Sequence, residues 1–314
     1  MTEESLSQTA PPPADDTERD EGIGTRDIVR ALFKDLLVLA SVIFLVALIF
    51  SAVFADFVAP YDPLLPNIFA NRLPPLSTAT GMDGSEQFHL LGTDALGRDM
   101  LSRLIFGARA SIFVALVSVF VSGVLGTIMG VLAGYYGGAV EAIIMRAVDA
   151  FMAVPSLLIA LFVLFIIGGG LVNMVLIFAL VRWVVYARLA RGITLSLKES
   201  SFVEAARAIG ASDTRIMLRH ILPNMISPLL VLATLEVALL VLAEAGLSFL
   251  GFGLLPPEPS WGLMISRGRE YMREAWWMIT LPGLAIFLTT LSLNLVANWF
   301  RAVMDPVQRW RWLM

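Results

Sequence analysis

The chain has 314 residues, 58% of them hydrophobic and 15% charged, with a formal net charge of −4. Soluble domains carry about 45–50% apolar and about 25% charged residues, so this composition excludes an ordinary globular domain and points to a membrane protein. Cysteine is absent, which excludes disulfides, iron–sulfur clusters, thiolate metal sites and cysteine nucleophiles together.

The opening "MTEESLSQTAPPPADDTERDEGIG" is acidic, Pro-rich and poor in apolar residues. It predicts a disordered tail over residues 1–30. It lacks the basic start and apolar core of a cleaved signal peptide, so the first apolar run reads as a retained helix. That run, residues 36–55, is uncharged and bracketed by Asp35 and Asp56; about 20 helical residues cross a bilayer core.

A long segment on the far side follows, to residue 110, ending in "LGTDALGRDMLSRLIFGARAS". With Asp94 as N-cap, Leu96, Met100, Leu101, Leu104 and Ile105 line one helical face, and Arg98, Asp99, Ser102 and Arg103 the other. The pattern suits an amphipathic helix at the membrane surface, or a lead-in continuous with the next span.

Residues 111–133 form the second predicted span. Ser118, Ser122, Gly126, Gly130 and Gly134 recur every fourth residue in and just beyond it, a stripe that lets another helix approach closely. Further spans are predicted at 150–167, 171–191, 224–250 and 276–300, giving a core over 111–303 and a C-terminal tail over 304–314. Between the last two spans, a Pro cluster with Trp261, Trp276 and Trp277 predicts an interfacial hairpin.

Six spans put both termini on one side. Of the 22 Lys and Arg residues, fourteen fall on that side, seven on the other, and Arg182 lies within a span. The positive-inside rule therefore predicts cytoplasmic termini.

Between the fourth and fifth spans, in a cytoplasmic loop over about 192–223, lies "SFVEAARAIGASDTRIMLRHILPN", residues 201–224. Ser201 and Glu204 have the form of a capping box, and the helix is expected to stop at Gly210 in a left-handed C′ position. Ser212 or Asp213 can cap a second short helix, and Pro223 marks the transition to the next span. Phe202, Val203, Ala205 and Ala206, rimmed by Glu204 and Arg207, form a compact surface. It suits a docking knob pushed by a partner, or a surface helix tied down by its own domain.

No catalytic, cofactor or metal residues are predicted. The two histidines, His89 and His220, offer no ligand-spaced pair; neither HExxH nor GxSxG occurs. Each lysine is followed by an acid (Lys34 by Asp35, Lys198 by Glu199), so there is no phosphate-binding P-loop. Arg182 and Glu236 each sit midway along a span and predict a buried ion pair. Such a pair serves either structure or the proton relay of an ion-coupled carrier.

"EAARAIGASDTRIMLRHILPN" resembles the EAA loop of membrane subunits of ATP-binding-cassette (ABC) importers, through Glu204-Ala205-Ala206, Gly210 and Ile221-Leu222-Pro223. "LGTDALGRDMLSR", "MRAVDAFMAVP", "EAGLSFLGFG" and "PSWGLMISRGREY" resemble the second permease of dipeptide, oligopeptide and nickel importers, over residues 33–308. The resemblance implies an all-α inner-membrane permease of six spans with the type I importer fold. It implies a second, homologous permease, two cytoplasmic ATPases and an extracytoplasmic binding protein as partners, with no nucleic acid. It also implies a coupling site of Phe202, Val203, Glu204, Ala205, Ala206, Arg207, Gly210, Ala211 and Ser212. In that site Ala205 and Ala206 are the close contacts, Glu204 a charged rim and Gly210 the orienting turn. Small peptides are the implied cargo, with nickel or another small solute as the alternative. The ending "NLVANWFRAVMDP" departs from the family's usual "NLLGDGLRDALDP" at Asn298, Trp299 and Met304.

Overall fold

The computed structural model describes residues 32–82 and 84–304. The tail expected over 1–30 and residues 305–314 lie outside the described residues. Helix α1, Leu36–Val53, starts where the Asp35 carboxylate accepts the backbone N–H groups of Leu37 and Val38 at 3.0 and 3.2 Å. A short helix α2, Ala55–Val58, continues it.

The segment that follows is not an amphipathic helix. It contains a two-stranded antiparallel sheet, β1 (Ser77–Thr80) with β2 (Glu86–His89), the described exception to an all-helical chain. Asp94 caps a turn instead of a helix, its Oδ1 accepting from Leu96 N–H at 2.8 Å and Arg98 N–H at 3.0 Å. A helix cannot pass this point. Gly97 has φ +72°, and a Cβ there would lie 1.8 Å from the Asn67 carbonyl oxygen. Asp99 is the true N-cap, accepting from Ser102 N–H at 2.8 Å. From there helix α3 runs unbroken over Met100–Tyr136, so the expected lead-in and second span are one element.

Helices α4 (Gly138–Met152) and α5 (Ser156–Ile167) meet at an 83° bend. Pro155 at the start of α5 accounts for the break, because it supplies no N–H and its ring obstructs a continuing helix. α4 leaves from the end of α3, whereas Gly170, just after α5, donates to the Gly253 carbonyl at 2.9 Å at the opposite end of the bundle. The bent pair thus connects the two ends and forms the third span. It begins earlier than residue 150 and is broken near 153–155.

α6 (Leu171–Lys198) follows, then α7 (Ser201–Ala208) and α8 (Asp213–Ile216). A π turn over Met217–Ile221 joins α8 to α9, Leu222–Phe249. The transition expected at Pro223 is therefore absent. The wide turn, closed by Leu222 N–H to the Met217 carbonyl, lets the helix run on through the proline.

The last loop is more than a hairpin: α10 (Trp261–Gly268) folds back on the bundle before α11, Trp277–Met304. Trp261 is 1% exposed and donates to the Leu104 carbonyl at 3.0 Å, and Trp277 donates to that of Thr93 at 3.0 Å. These two rings are buried joints; Trp276 stays exposed. The described residues thus hold five helices long and apolar enough to cross a membrane, and six spans with the bent pair.

The bundle is organised around α3 and α6, its most extensive helix pair. The small-residue stripe makes that pair possible. Added to Gly126, a Cβ would meet the Trp183 carbonyl oxygen at 2.2 Å; added to Gly130, that of Ala187 at 2.3 Å. Gly134 meets Thr194 and Arg191 one turn further on, so the two helices run parallel. Interhelical approach this close gains van der Waals contact where lipid supplies no hydrophobic drive. At the C-terminal end Trp299 packs with Val38 and Val303, tying α11 to α1, while Asn298 is exposed.

Candidate functional site

The loop after α6 is built as a rigid knob. Lys198 Nζ donates to the Gly134 carbonyl at 3.1 Å, fixing the end of α6 to that of α3. The cap of α7 is Ser200, one residue earlier than the capping box predicts. Its hydroxyl turns back to the Leu197 carbonyl and makes no cap bond. At the other end, Gly210 N–H donates to the Arg207 carbonyl and Ala211 N–H to that of Ala206, both at 3.0 Å. With Gly210 at φ +85° this is a Schellman motif, which glycine enters without Cβ strain.

The two faces of α7 differ sharply. Val203, 0% exposed, packs in a cluster with Val131, Ala190, Ile216, Ile221 and Met225, and Ala206 is buried beside it. Phe202, Glu204, Ala205, Arg207, Gly210 and Ser212 face outward, and Ala211 is half-buried against the cluster. The two alanines expected to act together are therefore divided: Ala205 is free for contact, and Ala206 with Val203 anchors the helix. The anchor is reinforced by Tyr135 at the end of α3, whose hydroxyl hydrogen-bonds Asp213 Oδ1 at 2.6 Å.

Ile209 escapes a motif-based reading. It is 87% exposed at the tip of the loop, in line with Phe202 and Ala205. The signal was present as helical spacing, but the residue falls outside the Glu-Ala-Ala triplet.

Inside the bundle the structure brings Arg182 of α6 and Glu236 of α9 together in a two-pronged pair. Nε reaches Oε2 at 2.6 Å and Nη2 faces Oε1; the side chains are 15% and 6% exposed. Removing one partner of such a pair costs about 3–5 kcal/mol, because the other charge is left buried and uncompensated. A second buried acid, Glu244, is 0% exposed and accepts from the hydroxyls of Ser111 and Ser248, each at 2.6 Å. This cluster ties α9 to α3 near the end opposite α7. Ser111 and Glu244 are 133 positions apart, so only the helix pairing brings them together.

A bundle of this shape, with apolar helices long enough to cross a membrane and a short clamped helix projecting from one end, defines a polytopic membrane protein. The family model "Binding-protein-dependent transport system inner membrane component" matches residues 126–310, and "N-terminal TM domain of oligopeptide transport permease C" matches residues 25–75. A "Di/tripeptide transport system permease protein DppC" of Pseudomonas aeruginosa is 41% identical over 268 residues, 85% of this chain and 87% of the relative. A "Glutathione transport system permease protein GsiD" of Pectobacterium atrosepticum is 38% identical over 291 residues, 92% and 93% of the two chains. A "Probable D,D-dipeptide transport system permease protein DdpC" of Escherichia coli K12 is 36% identical over 270 residues, 86% and 87% of the two chains. Among solved structures, an inward-facing MetNI methionine ABC transporter shares the fold, with TM-score 0.52 and 22% identity over 66% of this chain and 98% of that one. The chain belongs to the family of inner-membrane components of binding-protein-dependent transport systems.

Proposed function

We propose that this chain is one of two different but homologous permease subunits of an ATP-driven importer of di- and oligopeptides, with its termini in the cytoplasm. α7 is the coupling helix. Phe202, Glu204, Ala205, Arg207 and Ile209 enter a cleft of a cytoplasmic ATPase, and Gly210 with Ala211 and Ser212 sets the angle to α8. Val203 and Ala206 hold α7 to α3, α6 and α9, so a push on its tip moves the spans as a body. The Arg182–Glu236 pair fixes α6 to α9 across the membrane interior. ATP is hydrolysed on the partner, and cargo arrives from a binding protein on the other face. The relatives named for di- and tripeptides, D,D-dipeptides and glutathione support peptide cargo.

The carrying observation is the division of α7 into a buried face and an exposed one that ends in Ile209. The test is reconstitution of the complete transporter in proteoliposomes with labelled dialanine. Accumulation is expected only with both ATP and the binding protein. Uptake driven by a proton gradient without ATP, or uptake of nickel and no peptide, would overturn the assignment.

A further inference from the structure

At the end of the bundle opposite α7 lies a cavity of about 330 Å³, walled by the Asp94 turn, the start of α3, α10 and α11. Small-molecule sites occupy about 300–1,000 Å³. Its charge is unbalanced. Arg98 and Arg103, 5% and 1% exposed, lean on the same carboxylate, Asp94 Oδ2, at 2.6 and 3.4 Å. The remaining reach of Arg103 goes to the Pro63 carbonyl at 3.0 Å. Arg267, half-buried in the wall, makes no hydrogen bond or ion pair with the described residues. It lies near enough for its charge to repel that of Arg103. With Arg269 and Glu270 at the rim, four arginines face two carboxylates. Among the fully buried groups two arginines share the one carboxylate of Asp94, with Arg267 half-buried beside them. Buried positive charge in excess is costly unless an anion completes it.

The rest of the wall is of a different kind. Met100, Met264 and Met278 are each 4% exposed or less and line the cavity together with Tyr271. Unbranched thioether side chains adapt to ligands of varied shape. A guanidinium cluster at one side and a compliant apolar wall at the other fit a small molecule with a constant carboxylate and variable side chains. An acidic side chain from a docking protein would leave most of the volume empty.

We propose that this cavity receives the terminal carboxylate of a peptide entering from the extracytoplasmic side, gripped by Arg267 with Arg98 and Arg103 behind it. The assignment rests on the peptide-import reading above, and it adds a cargo contact on the permease itself. Guanidinium groups suit this task because they present paired N–H donors in the geometry of a carboxylate.

The test uses the purified transporter complex in nanodiscs without its binding protein, and measures binding of dialanine and of its C-terminal amide. The free acid is expected to bind at least tenfold more tightly. Arg267→Gln is expected to erase that preference without altering affinity for the amide, and Arg267→Lys to keep part of it. Equal binding of acid and amide to the unaltered complex overturns the proposal, as does Arg267→Gln with the preference intact. So does a complex that transports dialanine yet binds none directly. In these cases peptide import itself still stands, because it is read from uptake with the binding protein present.

Discussion

Replacing Gly210 by valine will abolish cargo uptake while the chain continues to reach the membrane in normal amount. Gly210 sits at φ +85°, where a β-branched side chain is strained, and no atom lies within 4 Å of the position its Cβ would take. The strain is worth about 1–2 kcal/mol, too little to unfold the bundle. It is enough to open the Schellman turn that sets α7 against α8. Two comparisons separate conformation from bulk. Gly210→Asn tolerates the left-handed region and keeps the turn, so it retains partial uptake. Glu204→Lys leaves the backbone untouched and reverses one exposed charge, so it loses uptake through the docking surface alone. Uptake rates with immunoblotted membrane levels read all three; wild-type transport by both Gly210→Val and Glu204→Lys would contradict the role given to this loop.

A second large effect is expected at the α3–α6 interface. Gly130→Leu places a branched side chain where even a Cβ lies 2.3 Å from the Ala187 carbonyl oxygen and 2.8 Å from the Ala190 Cβ. Both obstacles are on a facing helix and cannot swing aside. Overpacking of a well-filled interior costs about 1–3 kcal/mol or more; with a backbone atom in the way the upper end applies. The chain is expected to fail to accumulate, or to unfold at a clearly lower temperature in detergent. Gly192→Ala on the exposed side of α6 is the control: nothing lies within 4 Å of its Cβ, and no loss is expected. A thermal-unfolding series read by fluorescence-detected size exclusion distinguishes the two; equal stability would contradict the packing described for the stripe.

The spans were legible because their signal is local and strong: uncharged runs bounded by Asp35 and Asp56, or broken by Gly168–Gly170. Gly210 was legible for the same reason, since a helix stop beside a capped start is written in a dozen residues. The Arg182–Glu236 juxtaposition followed from cost, because either charge alone inside a span is expensive. Three features were not readable. Asp94 sits before an amphipathic pattern that fits a helix; the Asn67 carbonyl that forbids one at Gly97 comes from 30 positions away. The first half of the bent pair stays hidden although Pro155 itself signals a discontinuous helix, because the charged residues of α4 (Glu141, Arg146 and Asp149) disguise the start of that span before residue 150. Finally, the inward face of α7, on which Ala206 is buried, is set by the packing of Val203 with Ile216 and Met225, a cluster that only the return of α9 assembles.

The exposure of one face of α7 makes the coupling role open to direct measurement. Photo-activatable benzoylphenylalanine is placed singly at positions 205, 209 and 203 of the assembled transporter in native membranes. Residues 205 and 209 should capture the ATPase subunit, with a yield that changes when nucleotide is added, and 203 should capture only its own chain. Failure of 205 and 209 to label any nucleotide-hydrolysing protein, or capture of the extracytoplasmic binding protein from either, would contradict the account.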